Sequence, residues 1–154
     1  MCLIVDANVA AKFLAQPGAV IDWLSRERGN PRLVAAGKLR KELADSGDAV
    51  RRLLVRLEQM GKLRSADPGK LRHEEQRLHA TAICASNDPH VLALAIVSGA
   101  RTLATDDNAL ASDFRNKRII DQPRGKIYRD PDEHGHLLRH TSSCGVDSRT
   151  RRNR

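Results

Sequence analysis

The chain has 154 residues and a mass of 17.1 kDa, which is one domain's worth of sequence. Hydrophobic residues make up 40% and charged residues 30%, and no apolar run reaches the ~18–20 residues that span a bilayer, so a membrane-spanning helix is excluded. Lys and Arg number 27 against 19 Asp and Glu, a formal net charge of +8 that attracts polyanions, nucleic acid first.

Cys2-Leu3-Ile4-Val5 reads as a short buried strand that ends at Asp6. No basic segment precedes it, so a secretory signal is not expected and the expected location is the cytoplasm. A helix follows over residues 9–15 and stops at Pro17-Gly18. A second helix begins at Val20 and ends near Gly29-Asn30-Pro31. Arg32-Leu33-Val34-Ala35-Ala36 reads as the second strand. Gly37 opens a helix through Leu39 and Leu43 to Gly47. Val50, Leu53, Leu54 and Leu57 recur at helical spacing, and the polar face of that helix carries Arg51, Arg52 and Arg56. Those three arginines are candidate nucleic-acid contacts. Residues 62–66 read as an edge strand or a loop, and residues 68–84 as a helix. Ser86-Asn87-Asp88-Pro89 is a helix start, with Pro at the first helical position, and that helix runs to Gly99. Arg101-Thr102-Leu103-Ala104-Thr105 reads as the next strand and Arg118-Ile119-Ile120 as the last. Gly125-Lys126-Ile127-Tyr128 could extend the sheet edge. Three widely spaced cysteines, Cys2, Cys84 and Cys144, read as free thiols rather than a disulfide framework or a zinc site.

Strands alternating with helices imply an α/β fold with a mainly parallel central sheet. Ligands in such sheets bind beyond the carboxyl ends of strands, where the strand order switches direction. Asp6 follows the first strand, and Asp106-Asp107 follow the Leu103 strand. Asp88 heads the helix that leads into that strand. Glu42 borders the apolar face made by Leu39 and Leu43. Four carboxylates can thus converge from distant segments. Crowded carboxylates raise each other's pKa, and a cation relieves them. Oxygen ligands without Cys or His select hard ions, Mg²⁺ or Mn²⁺. Such an ion activates water and stabilises charge developing on a phosphodiester, while a basic exterior draws the nucleic acid in. Each acid also has a plainer reading: Asp6 as a turn residue, Asp88 as a helix cap, Glu42 as an exposed polar residue and Asp107 as a turn residue beside Asn108.

The segments Leu3-Ile4-Val5-Asp6-Ala7-Asn8, Glu42, Asn87-Asp88-Pro89-His90-Val91-Leu92-Ala93-Leu94-Ala95 and Leu103-Ala104-Thr105-Asp106-Asp107 resemble the PIN-domain family over about residues 1–120. The stretch from Asp88 to Asp107 is the most specific part of the likeness, and Glu42 the least, because Asp45 and Asp48 are rivals nearby. The resemblance implies a three-layer α/β/α nuclease domain over residues 1–128 and a Mg²⁺- or Mn²⁺-dependent ribonuclease, as in VapC-type toxins. It implies Asp6, Asp88 and Asp107 as metal ligands, with Glu42 completing the catalytic acids. Thr105 and Asn8 would orient the carboxylates by hydrogen bonds. Asp106 is an accessory residue and Asp113 a further candidate acid. The partners implied are RNA, an antitoxin protein and a second copy of the chain.

The chain departs from a minimal PIN toxin after Ile120. Residues 129–154 read as a basic, flexible tail, and His134, His136, His140 and Cys144 as solvated residues rather than a metal site. His90 reads as a surface or structural histidine, not a base. A dehalogenase-like phosphatase needs a second Asp two positions after the first, where Asn8 stands. A receiver domain wants an acidic pair near the first strand and a late Lys, and neither is evident. The alternative from another class is a catalytically inactive PIN-like module that binds RNA or a protein.

Overall fold

The computed structural model describes residues 1–139. Strand β1 (Cys2–Val5) is an unbroken apolar run, and all four side chains are fully buried. Burial on both faces is what a central strand of a parallel sheet requires. β1 pairs in parallel with β2 (Arg32–Val34) on one side and with β4 (Thr102–Ala104) on the other. β3 (Leu63–Arg64) closes the edge beyond β2, and β5 (Lys126–Tyr128) the edge beyond β4. The order is β3-β2-β1-β4-β5, and every pairing is parallel.

Parallel neighbours need crossover connections, and helices supply them. A 3-10 turn (Ala7–Val9), α1 (Ala10–Leu14) and α2 (Ala19–Leu24) join β1 to β2. α3 (Gly37–Ala44) and α4 (Asp48–Gln59) join β2 to β3. α5 (Pro68–Thr81) and α6 (Pro89–Ser98) join β3 to β4, and α7 (Asn108–Arg115) joins β4 to β5. With α8 (Pro131–Arg139), eight helices flank the sheet among the described residues, an α/β fold of the three-layer α/β/α kind. None of these helices is long and apolar enough to cross a membrane.

The chain winds outward from β1 through β2 to β3, then returns beside β1 as β4 and continues to β5. The order therefore reverses between β1 and β4. Their register pairs Ile4 with Leu103 and Val5 with Ala104, so Asp6 and Thr105 leave the sheet side by side. The Asp6 amide still donates to the Ala104 carbonyl at 2.9 Å.

α6 is apolar on all sides, and Val91 through Ala95 are buried, so it is an interior helix rather than an amphipathic one. Pro89 starts it and Gly99, at φ 82°, ends it in the left-handed conformation. Arg101 Nη1 donates to the Ala95 carbonyl at 2.6 Å, and its Nε donates to the Pro123 carbonyl at 3.0 Å. One half-buried guanidinium thus ties the end of α6 to the loop before β5.

Three expectations are corrected. Residues 118–120 are not a strand. The amides of Ile119 and Ile120 bond back to the Asn116 carbonyl, and both side chains plug the core from a turn. The fifth strand lies at Lys126–Tyr128, where Gly125 passes so close to α7 that a Cβ would stand 2.1 Å from the Phe114 carbonyl oxygen. Residues 129–139 do not begin a tail. α8 buries Leu137 and Leu138, and His134 Nδ1 accepts from the Arg129 and Asp130 amides, so this histidine serves the helix start. Residues 140–154, with His140 and Cys144, lie outside the described residues. Finally, Cys84 is a free thiol but Cys2 is disulfide-bonded, so the reading of three free thiols does not hold.

Candidate functional site

The carboxyl edge of β1 and β4 holds Asp6 and Thr105 side by side, with Asp107 two residues beyond. Asp6 is only 6% exposed. Its Oδ2 accepts from Thr105 Oγ1 at 2.8 Å, and Thr105 is itself fully buried. The same hydroxyl accepts from the Asp107 amide at 3.1 Å. A hydroxyl has one proton to give, so this pattern commits the Thr105 proton to Asp6. Thr105 therefore holds Asp6 and the start of the Asp107 turn at once.

Burial pushes the Asp6 carboxyl above its ordinary pKa. The Thr105 hydroxyl and the Ala7 amide pull it down, while the charges of Asp88 and Glu42 push it up. Asp6, Glu42 and Asp88 thus share one electrostatic site, although they come from β1, α3 and the entry to α6.

Asp88 occupies the cap position of α6, yet its side chain makes no cap hydrogen bond. Its carboxylate accepts no hydrogen bond among the described residues, so the plain reading as a helix cap fails. Glu42 is held differently. Its Oε1 lies 2.6 Å from His90 Nε2, and the histidine side chain is 4% exposed. Neither atom has an aligned hydrogen-bond partner, so this is a close polar contact rather than a linear bond. His90 is buried, not on the helix surface. The rivals to Glu42 are elsewhere: Asp45 is exposed at the end of α3, and Asp48 pairs with Arg51 at 3.2 Å.

Asp107 is a helix cap. Its Oδ1 accepts from the Leu110 amide at 3.1 Å and so starts α7. It sits one hydroxyl away from Asp6 but is not among the charges that bear on it. Asp106 is exposed. Asn8 is exposed in the 3-10 turn and bonds none of the carboxylates among the described residues. Asp113 is not a further site acid. Both its oxygens are occupied, Oδ1 by the Ala85 amide and Oδ2 by the Ser86 amide, each at 2.9 Å. It clamps the loop that delivers Asp88.

Two residues near the site make contacts that the sequence did not reveal. His90 reaches Glu42 across the contact of α3 with α6. Arg129 Nε donates to the Thr105 carbonyl at 3.0 Å, and its Nη2 to Asn108 Oδ1 at 2.9 Å. It braces the β4–α7 turn from a segment that composition assigned to the tail. Arg51, Arg52 and Arg56 are exposed on α4. Arg51 is engaged by Asp48 and by the Ala44 carbonyl, whereas Arg52 and Arg56 line a 270 Å³ surface cavity with Leu14, Pro17 and Leu53.

The donor types suit a hard divalent cation, because the acids that bear on the buried Asp6 carboxylate are oxygen donors without Cys. A closed shell is not formed: among the described residues, no group of three or more His, Cys, Asp or Glu side chains stands in metal-holding geometry. Comparison with protein-family models, with curated proteins and with solved structures finds no match.

Proposed function

We propose that the chain is a divalent-metal-dependent endoribonuclease of PIN-like type. The observation that carries this reading is the buried Asp6 carboxylate at the reversal of strand order, on which the charges of Asp88 and Glu42 bear. Mg²⁺ or Mn²⁺ would be held by Asp6 and Asp88, with Asp107 and Glu42 beside them, and would supply the positive charge that a phosphodiester undergoing hydrolysis needs.

The chain's own residues have separate tasks in this reading. Thr105 orients Asp6 by donating to Oδ2. Asp113 fixes the 85–86 backbone and hence Asp88. Asp107 starts α7 through Leu110 and offers its second oxygen to the site. Arg52 and Arg56 attract the phosphate backbone. The fuller form of the reading is a cytoplasmic enzyme acting on RNA, with an antitoxin protein and a homodimer as partners if it serves as a toxin.

A second reading, a PIN-like module that binds RNA or a protein without cleaving, is favoured by one observation. Asp107 spends one oxygen on a helix cap. Incubating the purified protein with a mixed structured RNA pool in Mg²⁺, Mn²⁺ or EDTA separates the two. Metal-dependent cleavage, lost in Asp6→Asn and Asp88→Asn, is expected. Binding without cleavage under every metal condition would move the assignment to the second reading.

A further inference from the structure

α6 buries almost every side chain it carries, and all but two of its buried residues are apolar. The ring of His90 is one of these exceptions, in the first turn, with its side chain 4% exposed. A Leu or Val would fill that space with no polar desolvation, so packing alone does not explain the imidazole. Pro89 fixes the start of the helix, which places Asp88 and His90 rigidly with respect to each other. The Nε2 atom of His90 meets Glu42 Oε1 at 2.6 Å. The contact falls short of hydrogen-bond alignment as it stands, but a small rotation of the ring would let an Nε2–H donate to Oε1, since a carboxylate oxygen only accepts.

Glu42 needs such a contact more than its neighbours do. Asp6 is held by Thr105, and the backbone ahead of Asp88 by Asp113. Glu42 has a longer side chain on a half-exposed helix position and makes no side-chain hydrogen bond among the described residues. Without a partner it would sample several rotamers at an entropic cost to any ordered site. We propose that His90 is a positioning residue, which fixes Glu42 Oε1 through Nε2 and leaves the second Glu42 oxygen to the site shared with Asp6 and Asp88. This inference rests on the nuclease reading above.

The test uses the full chain with His90→Leu, His90→Gln, Glu42→Gln and the His90→Leu/Glu42→Gln double variant, each checked for a cooperative unfolding transition. Gln places an amide nitrogen close to where Nε2 stands and should rescue what Leu loses. Two properties are read: Mn²⁺ binding by calorimetry, and RNA cleavage resolved into kcat and KM. His90→Leu is expected to lower Mn²⁺ affinity or kcat by ~10–100-fold with KM for RNA little changed. His90→Gln should keep most of both, and His90→Leu should add nothing in the Glu42→Gln background. In metal-free protein labelled at histidine, Glu42→Gln should shift the His90 Nε2 resonance. A His90→Leu protein equal to wild type, or one equally damaging without Glu42, overturns the inference while leaving the nuclease reading intact. A wild type that neither binds Mn²⁺ nor cleaves RNA overturns both.

Discussion

Asp6 shows how a single residue can be costly to the fold and useful to a site. Its carboxyl is buried, and its pKa is raised, first by that burial and then by Asp88 and Glu42. An acid with a raised folded pKa destabilises the folded state once pH rises through that value. Metal-free Asp6→Asn protein should therefore melt higher than wild type at neutral pH, because Asn keeps an acceptor for Thr105 and drops the charge. The gain should vanish as pH falls below the ordinary carboxyl range, where both side chains are neutral. Melting curves across that range check it, and an Asp6→Asn protein less stable than wild type at neutral pH would contradict the electrostatics. Much of this residue-scale picture was legible. Three apolar residues running into Asp6 marked a strand end, and Thr105 lay in the matching position after the Leu103 run. Asp113 was misjudged because its partners are backbone amides, which leave no trace in sequence. The meeting of His90 with Glu42 was hidden for a related reason, since it depends on how α3 crosses α6.

At the scale of elements, the link between α7 and the loop before α6 is the clearest point of leverage. Asp113 is almost fully buried and accepts two backbone hydrogen bonds. Asp113→Ala should cost about 2–3 kcal/mol, as expected when charged acceptors are removed from buried donors. Urea unfolding measures it, and a change below about 0.5 kcal/mol would deny the clamp. α4 offers a separate test. Arg52 and Arg56 are free of the contacts that engage Arg51. Each of Arg52→Ala and Arg56→Ala should flatten the salt dependence of RNA binding by ~0.7 in log–log slope. Arg51→Ala should change it less. Anisotropy titrations at several salt concentrations decide the matter, and equal slopes in all three variants and wild type would remove α4 from the nucleic-acid face. Long periodic helices such as α4 were readable because their apolar spacing is unambiguous. The sheet-edge extension read at residues 125–128 is β5, but the last strand was also read one segment too early, because Arg118-Ile119-Ile120 has strand composition while Asn116 turns that segment. α8 was hidden by the Gly and charged residues around its two buried leucines.

The whole molecule owes its candidate site to topology. An all-parallel sheet of order β3-β2-β1-β4-β5 reverses direction once, between the two strands that end at Asp6 and Thr105. Alternating strand and helix patterns made the α/β class readable, and with it the edge where ligands bind. The strand order itself was not readable, since it is set by crossovers and not by local pattern. If the site takes a divalent ion, folded protein binds it and unfolded protein does not. Mn²⁺ at ten times its dissociation constant should then stabilise the fold by ~1.4 kcal/mol. A thermal shift that persists unchanged in Asp6→Asn would place the ion elsewhere. The most direct test of the account is the rate of Mn²⁺-dependent RNA cleavage by Asp88→Asn against wild type. Asp88 makes no side-chain hydrogen bond among the described residues and its charge repels that of Asp6, so its loss should not lower the melting temperature. A kcat lowered by ~100-fold or more in a folded variant is predicted; a variant that cleaves at the wild-type rate would contradict the account.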